Sequence, residues 1–227
     1  MPGIDSYTKL LLHCNGTDGS TTFTDDSGTS KTVTSVGTAQ IDTAVSKFGG
    51  ASGLFDGDSD YVYTSSHTDF AMGTGDFTVD YWAKFASSSL QDIWWIAYSD
   101  GFGVRMNRAG QTNKMSLLMA GSTWFDISYT IDTTAWHHFA FVRTGTNLLV
   151  FIDGTKVLDT TSSANLVCNT DVLIGTGNYG SGYYFNGQLD EFRISKGIAR
   201  WTSDFTPPTE AYSTDTPTYN SGLMIVF

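Results

Sequence analysis

Glutamate and basic residues are scarce in this sequence. Only Glu191 and Glu210 supply glutamate among the 23 acidic residues, and Lys and Arg together number 12. Exposed helices favour Glu, Lys and Arg, whereas Asp, Gly, Ser and Thr are typical of turns and caps. The shortage therefore argues against exposed helices. With 24 Gly and an aromatic content of 14%, the composition indicates many short strands joined by polar loops.

The charge and the lack of long apolar runs exclude several partners. A net charge of −11 repels phosphate backbones, so nucleic acid is not expected as a ligand. No segment reaches the ~18 consecutive apolar residues of a membrane-spanning helix, so no membrane insertion is predicted. Residues 1–14 lack the basic start and long apolar run of a secretory signal peptide, and no signal peptide is predicted in this chain.

Cysteine is nearly absent as well. Cys14 and Cys168 are the only two, which is too few for a disulfide framework. We expect both to be small buried hydrophobic residues, and the sequence leaves open whether they pair.

Alternation of apolar and polar residues predicts the strands. It is clearest over residues 75–85, where apolar side chains occur at every second position from Phe77 to Phe85. In the pair Trp94-Trp95 the side chains must point to opposite sides of a strand, so only one can face outward. One domain is predicted over residues 1–208. Residues 209–227 form a Thr/Ser/Pro linker ending in a short apolar strand, either an added edge strand or the remnant of a tandem copy.

Three segments carry a family resemblance. They are residues 48–85, residues 136–157 (WHHFAFVRTGTNLLVFIDGTKV) and residues 185–208 (FNGQLDEFRISKGIARWTSDFTPP). In this order they resemble the laminin-G-like, concanavalin A-like lectin-glucanase jelly-roll domains of phage and bacterial surface proteins. The resemblance runs from about Tyr7 to Pro208. It implies an all-β, two-sheet antiparallel β-sandwich with binding loops at one rim or on the concave face.

The shortage of glutamate bears on catalysis. Retaining glycosidases that resemble this fold carry two Glu about four residues apart on one strand, because the reaction needs an acid and a carboxylate at a set separation. Here a Pro-Pro pair separates Glu191 from Glu210, which leaves only an unusual mechanism with two Asp. No nucleophile triad, phosphate-binding loop or dinucleotide motif is present. We therefore expect no enzymatic activity.

The family includes lectins, adhesion modules and viral structural domains, so function must be argued from sites. The first hypothesis is a non-catalytic carbohydrate-binding or adhesion module, part of a phage virion or a bacterial surface assembly, located on the virion or outside the cell. Aromatic rings would stack on sugars, with Trp95, Trp124, Tyr179 and Tyr183 as candidates. The alternative is a structural decoration protein of the virion that contacts other protein chains without binding glycans. Either protein could form oligomers.

A metal site is the last expectation. In a regular strand Glu191 and Arg193 would share the exposed face as a charge pair, and Asp190 would lie on the core side with Phe192. A buried carboxylate requires hydrogen-bond donors or a cation. Similar sandwiches often carry a structural calcium ion where the last strand meets the first loop, which implies Ca²⁺ held by Asp190 with Asp25 or Asn15. The other interpretation is that Asp190 caps backbone amides.

Overall fold

The structure, a computed structural model, describes residues 4–97, 101–177 and 182–213. In these ranges the chain forms fifteen strands, numbered along the sequence, and one turn of 3-10 helix at Thr68–Phe70. Sheet A consists of β1 (Thr8–Leu12), β3 (Gln40–Asp42), β4 (Ser52–Asp56), β6 (Phe77–Phe85), β11 (His137–Thr144), β12 (Asn147–Ile152), β13 (Thr155–Thr161) and β15 (Asn186–Lys196). Sheet B consists of β2 (Thr34–Val36), β5 (Tyr61–Thr64), β7 (Gln91–Ile96), β8 (Phe102–Met106), β9 (Lys114–Met119), β10 (Thr123–Ser128) and β14 (Val172–Ile174).

All strand pairs are antiparallel. Sheet A has the order β13-β12-β11-β6-β15-β4-β3, with β1 paired to β15, and sheet B has the order β10-β9-β8-β7-β14-β5-β2. Strands that pair in a sheet are often distant in sequence, as in a jelly roll. For example, β6 lies between β11 and β15. The predicted all-β, two-sheet antiparallel sandwich is confirmed.

The core lies between the two sheets and is rich in aromatic rings. Tyr81 of β6 stacks on Phe139, Phe141 and Phe192, with ring centroids 5.4, 6.2 and 5.5 Å away. Trp94 of β7 meets Phe141 edge-on at 5.5 Å from the opposite sheet and is fully buried. Alternation along β6 and β7 places these rings inward, and each buries about 150–250 Å². The two cysteines are free thiols, Cys14 buried and Cys168 partly exposed.

A β-bulge in β15 changes which side chains face the core. Asp190 lies opposite Trp82 and Arg193 opposite Asp80, so β15 has one more residue than β6 between these pairs. The extra residue is Glu191, with a φ of 52°. A bulge shifts the alternation of side chains by one position. The expected core-side location of Asp190 is therefore wrong: Asp190 faces outward with Trp82, while Phe192 remains in the core.

The C-terminal strap, residues 197–213, covers the outer face of sheet A. Trp201 and Phe205 stack at 4.2 Å, and this pair packs with Val142, Leu149 and Phe151 of the sheet. The packed chain extends to Tyr212, four residues beyond the boundary predicted at residue 208, and the Ile4 N–H donates to the Ser213 carbonyl at 2.9 Å. The strap thus covers the outer face of sheet A over β11 and β12.

Buried charges fasten this strap. Arg193 donates two hydrogen bonds to Asp80, at 3.0 and 3.1 Å, and its guanidinium lies 3.6 Å from the centroid of the Tyr212 ring. The Tyr212 hydroxyl donates to Asp80, and the Tyr212 N–H donates to Glu191 at 2.8 Å. Burial alone would raise the pKa of Asp80, but the charge of Arg193 holds it at about 2. The predicted exposed Glu191–Arg193 pair is wrong, because both side chains are about 1% exposed and each has another partner.

Candidate functional site

The outer surface of sheet B carries a row of apolar and aromatic side chains, here called the aromatic face. The row crosses the strands through cross-strand neighbours: Trp124 on β10, Leu118 on β9, Gly103 on β8, Trp95 on β7, Leu173 on β14 and Tyr63 on β5. Gly103 makes the row possible, because a side chain there would collide with the Trp95 ring. The missing side chain lets Trp95 lie against the sheet.

Three of the four predicted glycan-binding residues meet on this face. The rings of Trp95 and Trp124 are 6.1 Å apart, and the Arg105 guanidinium lies 5.5 Å from Trp95, 5.9 Å from Trp124 and 4.7 Å from Tyr183. Trp95 is only 3% exposed, Trp124 is partly exposed and Tyr183 is 39% exposed. Tyr183 and Trp124 therefore present the accessible rings, and Trp95 lies beneath them. Tyr179 lies outside the described residues.

Three further tyrosines extend the face beyond the predicted set. Tyr61 stacks against Tyr184 at 6.5 Å and lies 6.3 Å from Tyr63, and all three are partly exposed. Tyr61 and Tyr63 alternate with the core residue Val62 on β5. This alternation is the sequence signal that could have identified them.

Two arginine–aspartate pairs lie beside the aromatic row. Arg105 binds the fully buried Asp92 through two hydrogen bonds, at 2.5 and 2.8 Å. Burial raises the pKa of Asp92, while Arg105 and the Gly177 N–H favour its charged form. A side chain at Gly177 would collide with Asp92, so only glycine allows the backbone this close.

The second pair joins Arg108 to Asp126. Its two hydrogen bonds measure 3.1 and 2.8 Å, and Ser116 donates to the same carboxylate at 2.6 Å. These bonds, Arg108 first, lower the pKa of Asp126. Arg108 also lies 5.0 Å from the Trp124 ring. Each arginine on the face thus touches an aromatic ring and is matched by one carboxylate.

Asp25, a predicted calcium ligand, closes the open edge of β1. One oxygen accepts the N–H groups of Leu11 and Ser27, at 3.1 and 3.0 Å, and the other accepts from the Lys31 N–H at 2.8 Å and the Thr29 hydroxyl at 3.2 Å. Unpaired strand edges invite pairing with other chains. Four donors therefore engage this carboxylate in holding residues 25–31 against β1.

Asp190, the other predicted ligand, joins β15 to the loop before β4. Its Oδ2 accepts the N–H groups of Lys47 and Phe48, at 2.9 and 3.0 Å, while its buried Oδ1 has no hydrogen-bond partner among the described residues. Burial raises the pKa of Asp190 to about 7. The unpartnered oxygen would suit a cation or a water. Within the described ranges, however, no three His, Cys, Asp or Glu side chains form a group that could hold a metal ion. Calcium stays a prediction.

The architecture defines the class: a jelly-roll sandwich with one face covered by its own chain and the other lined by aromatic rings. A family model described as the concanavalin A-like lectin/glucanases superfamily matches residues 56–200. The chain belongs to this family, and the laminin-G-like resemblance read from the sequence is confirmed. Comparison with curated proteins found no match.

Solved structures share the fold at low identity. Domain 4 of AbnA, a GH43 extracellular arabinanase from Geobacillus stearothermophilus, in complex with arabinotriose, is 18% identical with a TM-score of 0.66, covering 88% of this chain and 95% of that one. The binding domain of Paraclostridial Mosquitocidal Protein 1 is 14% identical with a TM-score of 0.66, covering 85% of this chain and 49% of that one. The binding domain of Botulinum neurotoxin DC, in complex with rat synaptotagmin II, is 16% identical with a TM-score of 0.60, covering 86% and 49%. This chain thus spans about half the length of the two toxin domains.

In the described part of the chain, no helix has the length and apolar character to span a bilayer.

Proposed function

We propose that the protein is a non-catalytic carbohydrate-binding module and that the aromatic face of sheet B is its binding surface. One observation carries the proposal: Trp124 and Tyr183, far apart in sequence, present accessible rings on the same face around Arg105. On the outer face of sheet A, in contrast, the strap covers the apolar side chains of β11 and β12.

The chemistry of the face suits sugars. Sugar rings have apolar C–H faces that pack on flat aromatic rings, and their hydroxyl groups need nearby donors and acceptors. Binding sites typically combine an apolar lining with a few placed polar groups. Trp124 and Tyr183 supply the rings, Arg105 supplies donors, and the Arg108–Asp126 pair supplies donors and an acceptor beside them. The arabinotriose complex of one structural neighbour is consistent with this use of the fold.

The positions of the two glutamates support a non-catalytic role. Glu191 is buried, hydrogen-bonded to His13 at 2.6 Å and to the Tyr212 N–H, whereas Glu210 is exposed on the strap. A glycosidase needs its two carboxyl groups to flank one scissile bond. Neither glutamate lies on the aromatic face, so binding without hydrolysis is proposed.

The proposed setting is the surface of a phage virion or of a bacterial cell, where such a module would attach to a glycan. The alternative is a structural decoration protein. Tyr, Trp and Arg are enriched in protein–protein interfaces as well, so the same face could contact another chain of the assembly. The synaptotagmin complex of one structural neighbour is consistent with a protein partner.

Screening on a glycan array, followed by titration of any glycan bound, tests the proposal. Trp124→Ala and Tyr183→Ala should each weaken binding by tenfold or more, because each removes an accessible ring. Tyr7→Ala is the matched control, since Tyr7 is an aromatic residue 43% exposed outside the aromatic face. Silence across the array, together with recovery of the protein in assembled particles, would reject glycan binding and favour the structural role.

A further inference from the structure

The charges on the aromatic face are paired. Arg105 is matched by Asp92 and Arg108 by Asp126, in both cases through two hydrogen bonds. Lys114, at the start of β9, has no carboxylate bonded to it among the described residues but donates to the Ser128 hydroxyl at 2.7 Å. At the other end of the face, Asp171 accepts the Ser66 N–H and adds a negative charge. Burial, the main cause, raises the pKa of Tyr61 together with the neighbouring Tyr184 and Tyr63 and this charge. The face therefore has arginine without an excess of positive charge.

This pairing disfavours anionic sugars. Arginine recognises a carboxylate or sulfate through its planar fork of N–H donors. Two N–H groups of Arg105 already bind the fully buried Asp92, so an acidic sugar at the remaining N–H groups would share the arginine with a buried anion, and an acidic sugar at the same edge would leave Asp92 unpaired. Breaking a buried ion pair by removing one partner is strongly unfavourable. The net charge of −11 adds repulsion of polyanions at a distance.

The shape of the face disfavours recognition of a single terminal sugar. The row from Trp124 to Tyr63 passes over five inter-strand steps, from edge strand β10 to β5, which lies next to edge strand β2. At ~4.8 Å for each step, the row is about 24 Å long. Its partly exposed ends, Trp124 and Tyr63, are thus farther apart than one sugar ring can reach, with the buried Leu118, Trp95 and Leu173 between them. A ligand that contacts both ends would lie across the strands.

We infer that the ligand is an uncharged oligosaccharide chain lying across the strands of sheet B, with its hydroxyl groups bonded to Arg105 and to the Arg108–Asp126 pair. This inference rests on the proposed carbohydrate binding. It adds the chemical class and the direction of the ligand, and it makes the ion pairs the elements that select against acidic glycans.

The test compares binding of two neutral polysaccharides, arabinan and a glucan, with binding of the anionic polygalacturonate, at 50 and 500 mM NaCl. Wild type should bind at least one neutral polymer, with an affinity that changes less than about twofold between the two salt concentrations, and should not retain polygalacturonate. Counterion release makes binding of polyanions fall steeply with salt, so the two classes are separable.

Two variants sharpen the comparison. Asp126→Asn removes the carboxylate partner of Arg108 and should give a severalfold gain in affinity for polygalacturonate at low salt. Asp159→Asn is the matched control, because it removes one negative charge from an exposed pair with Lys156 on β13 of sheet A. It should give no gain, and thermal melting checks that both variants fold.

The outcomes separate the two claims. Preference of wild type for polygalacturonate, with loss at high salt, would overturn the inference while leaving carbohydrate binding in place. Equal gains in the two aspartate variants would overturn the role of the Arg108 pair. Loss of neutral-polymer binding in Trp124→Ala supports both claims, and absence of binding to every polymer rejects both. The wild-type comparison decides the charge class even if Asp126→Asn does not fold.

Discussion

The hydroxyl of Tyr212 donates a hydrogen bond to the carboxylate of Asp80, which joins the strap to the centre of sheet A. Tyr212→Phe keeps the ring against Arg193 and removes only this bond. Hydrogen bonds to buried charged groups contribute about 1.5–3 kcal/mol, so the free energy of unfolding should fall by that amount. Urea denaturation measures it, with Tyr7→Phe as the exposed control. An unchanged midpoint would show that Asp80 needs no third donor.

Truncation tests how far the folded unit extends. A chain ending at residue 213 keeps Tyr212, whereas a chain ending at residue 208 exposes Arg193 and Asp80 where the Tyr212 ring covers them. Loss of a buried aromatic side chain typically costs about 3–5 kcal/mol. We expect the shorter chain to unfold at markedly lower urea. Equal stability of the two chains would place the boundary at residue 208.

His137 should make stability depend on pH. Its Nδ1 lies 2.6 Å from Asp153 and its Nε2 lies 3.3 Å from Asp132, and the hydrogen bond to Asp153 raises its pKa above the usual 6.5. The folded state thus binds the proton more tightly than the unfolded state. The added stability is fully present below pH 6.5 and is lost as the pH rises through the folded pKa. The difference in unfolding free energy between wild type and His137→Gln should be larger at pH 5 than at pH 9. A constant difference would contradict this.

Asp190 should make the folded state less stable as the pH rises, whereas an ordinary salt-bridged carboxylate makes it more stable. Its folded pKa of about 7 lies above the unfolded value near 3.9, because burial disfavours the charged form. Between these values only the folded state keeps the proton, so wild type should lose up to about 1.4 kcal/mol of stability for each pH unit. Asp190→Asn should escape this loss in calcium-free buffer. Urea denaturation of wild type and Asp190→Asn from pH 4 to pH 8 measures the difference between their free energies of unfolding. A difference that does not change with pH would argue against the raised pKa.

Calcium can be tested at the same residue. An ion bound only by the folded state at a hundredfold excess over its Kd adds about 2.7 kcal/mol, which corresponds to several degrees of Tm. Chelation should lower the Tm of wild type by that amount. Asp190→Asn should remove the difference, while Asp58→Asn, at an exposed position, should keep it. Asp25→Asn shows whether that carboxylate takes part. Identical melting with calcium and with chelator would contradict the prediction.

The sequence allowed the fold to be predicted where strands are regular. In β6 the alternation is unbroken, so Tyr81 and Phe85 were correctly expected in the core. In β15 the same rule failed for Asp190, because the extra residue of a bulge depends on pairing with β6, more than a hundred residues earlier. Buried pairs such as Arg193 with Asp80 depend on that register and could not be seen in a local pattern.

In the candidate site too, local alternation predicted some residues, and others depended on strand pairing. An outward Trp95 follows from the inward position of Trp94, and aromatic residues in loops such as Tyr183 are natural candidates. The arginine–aspartate pairs were missed, because Arg105 and Asp92 become partners only through the β7–β8 pairing, whose register shifts between Asp92 and Trp94. Their partnership is a property of the sheet and has no counterpart in the spacing of either residue along the chain.

The hydrogen bond between Ile4 and Ser213 places the two ends of the described fold side by side. The two backbone groups are 2.9 Å apart, beside Tyr212 on the side of sheet A. A unit whose ends meet can replace a surface loop of a host protein without stretching it, which is the geometry that tolerates domain insertion and circular permutation. Grafted this way, the unit would be joined to its host on the sheet A side, and Trp124 and Tyr183 on the outer face of sheet B would point away from the host.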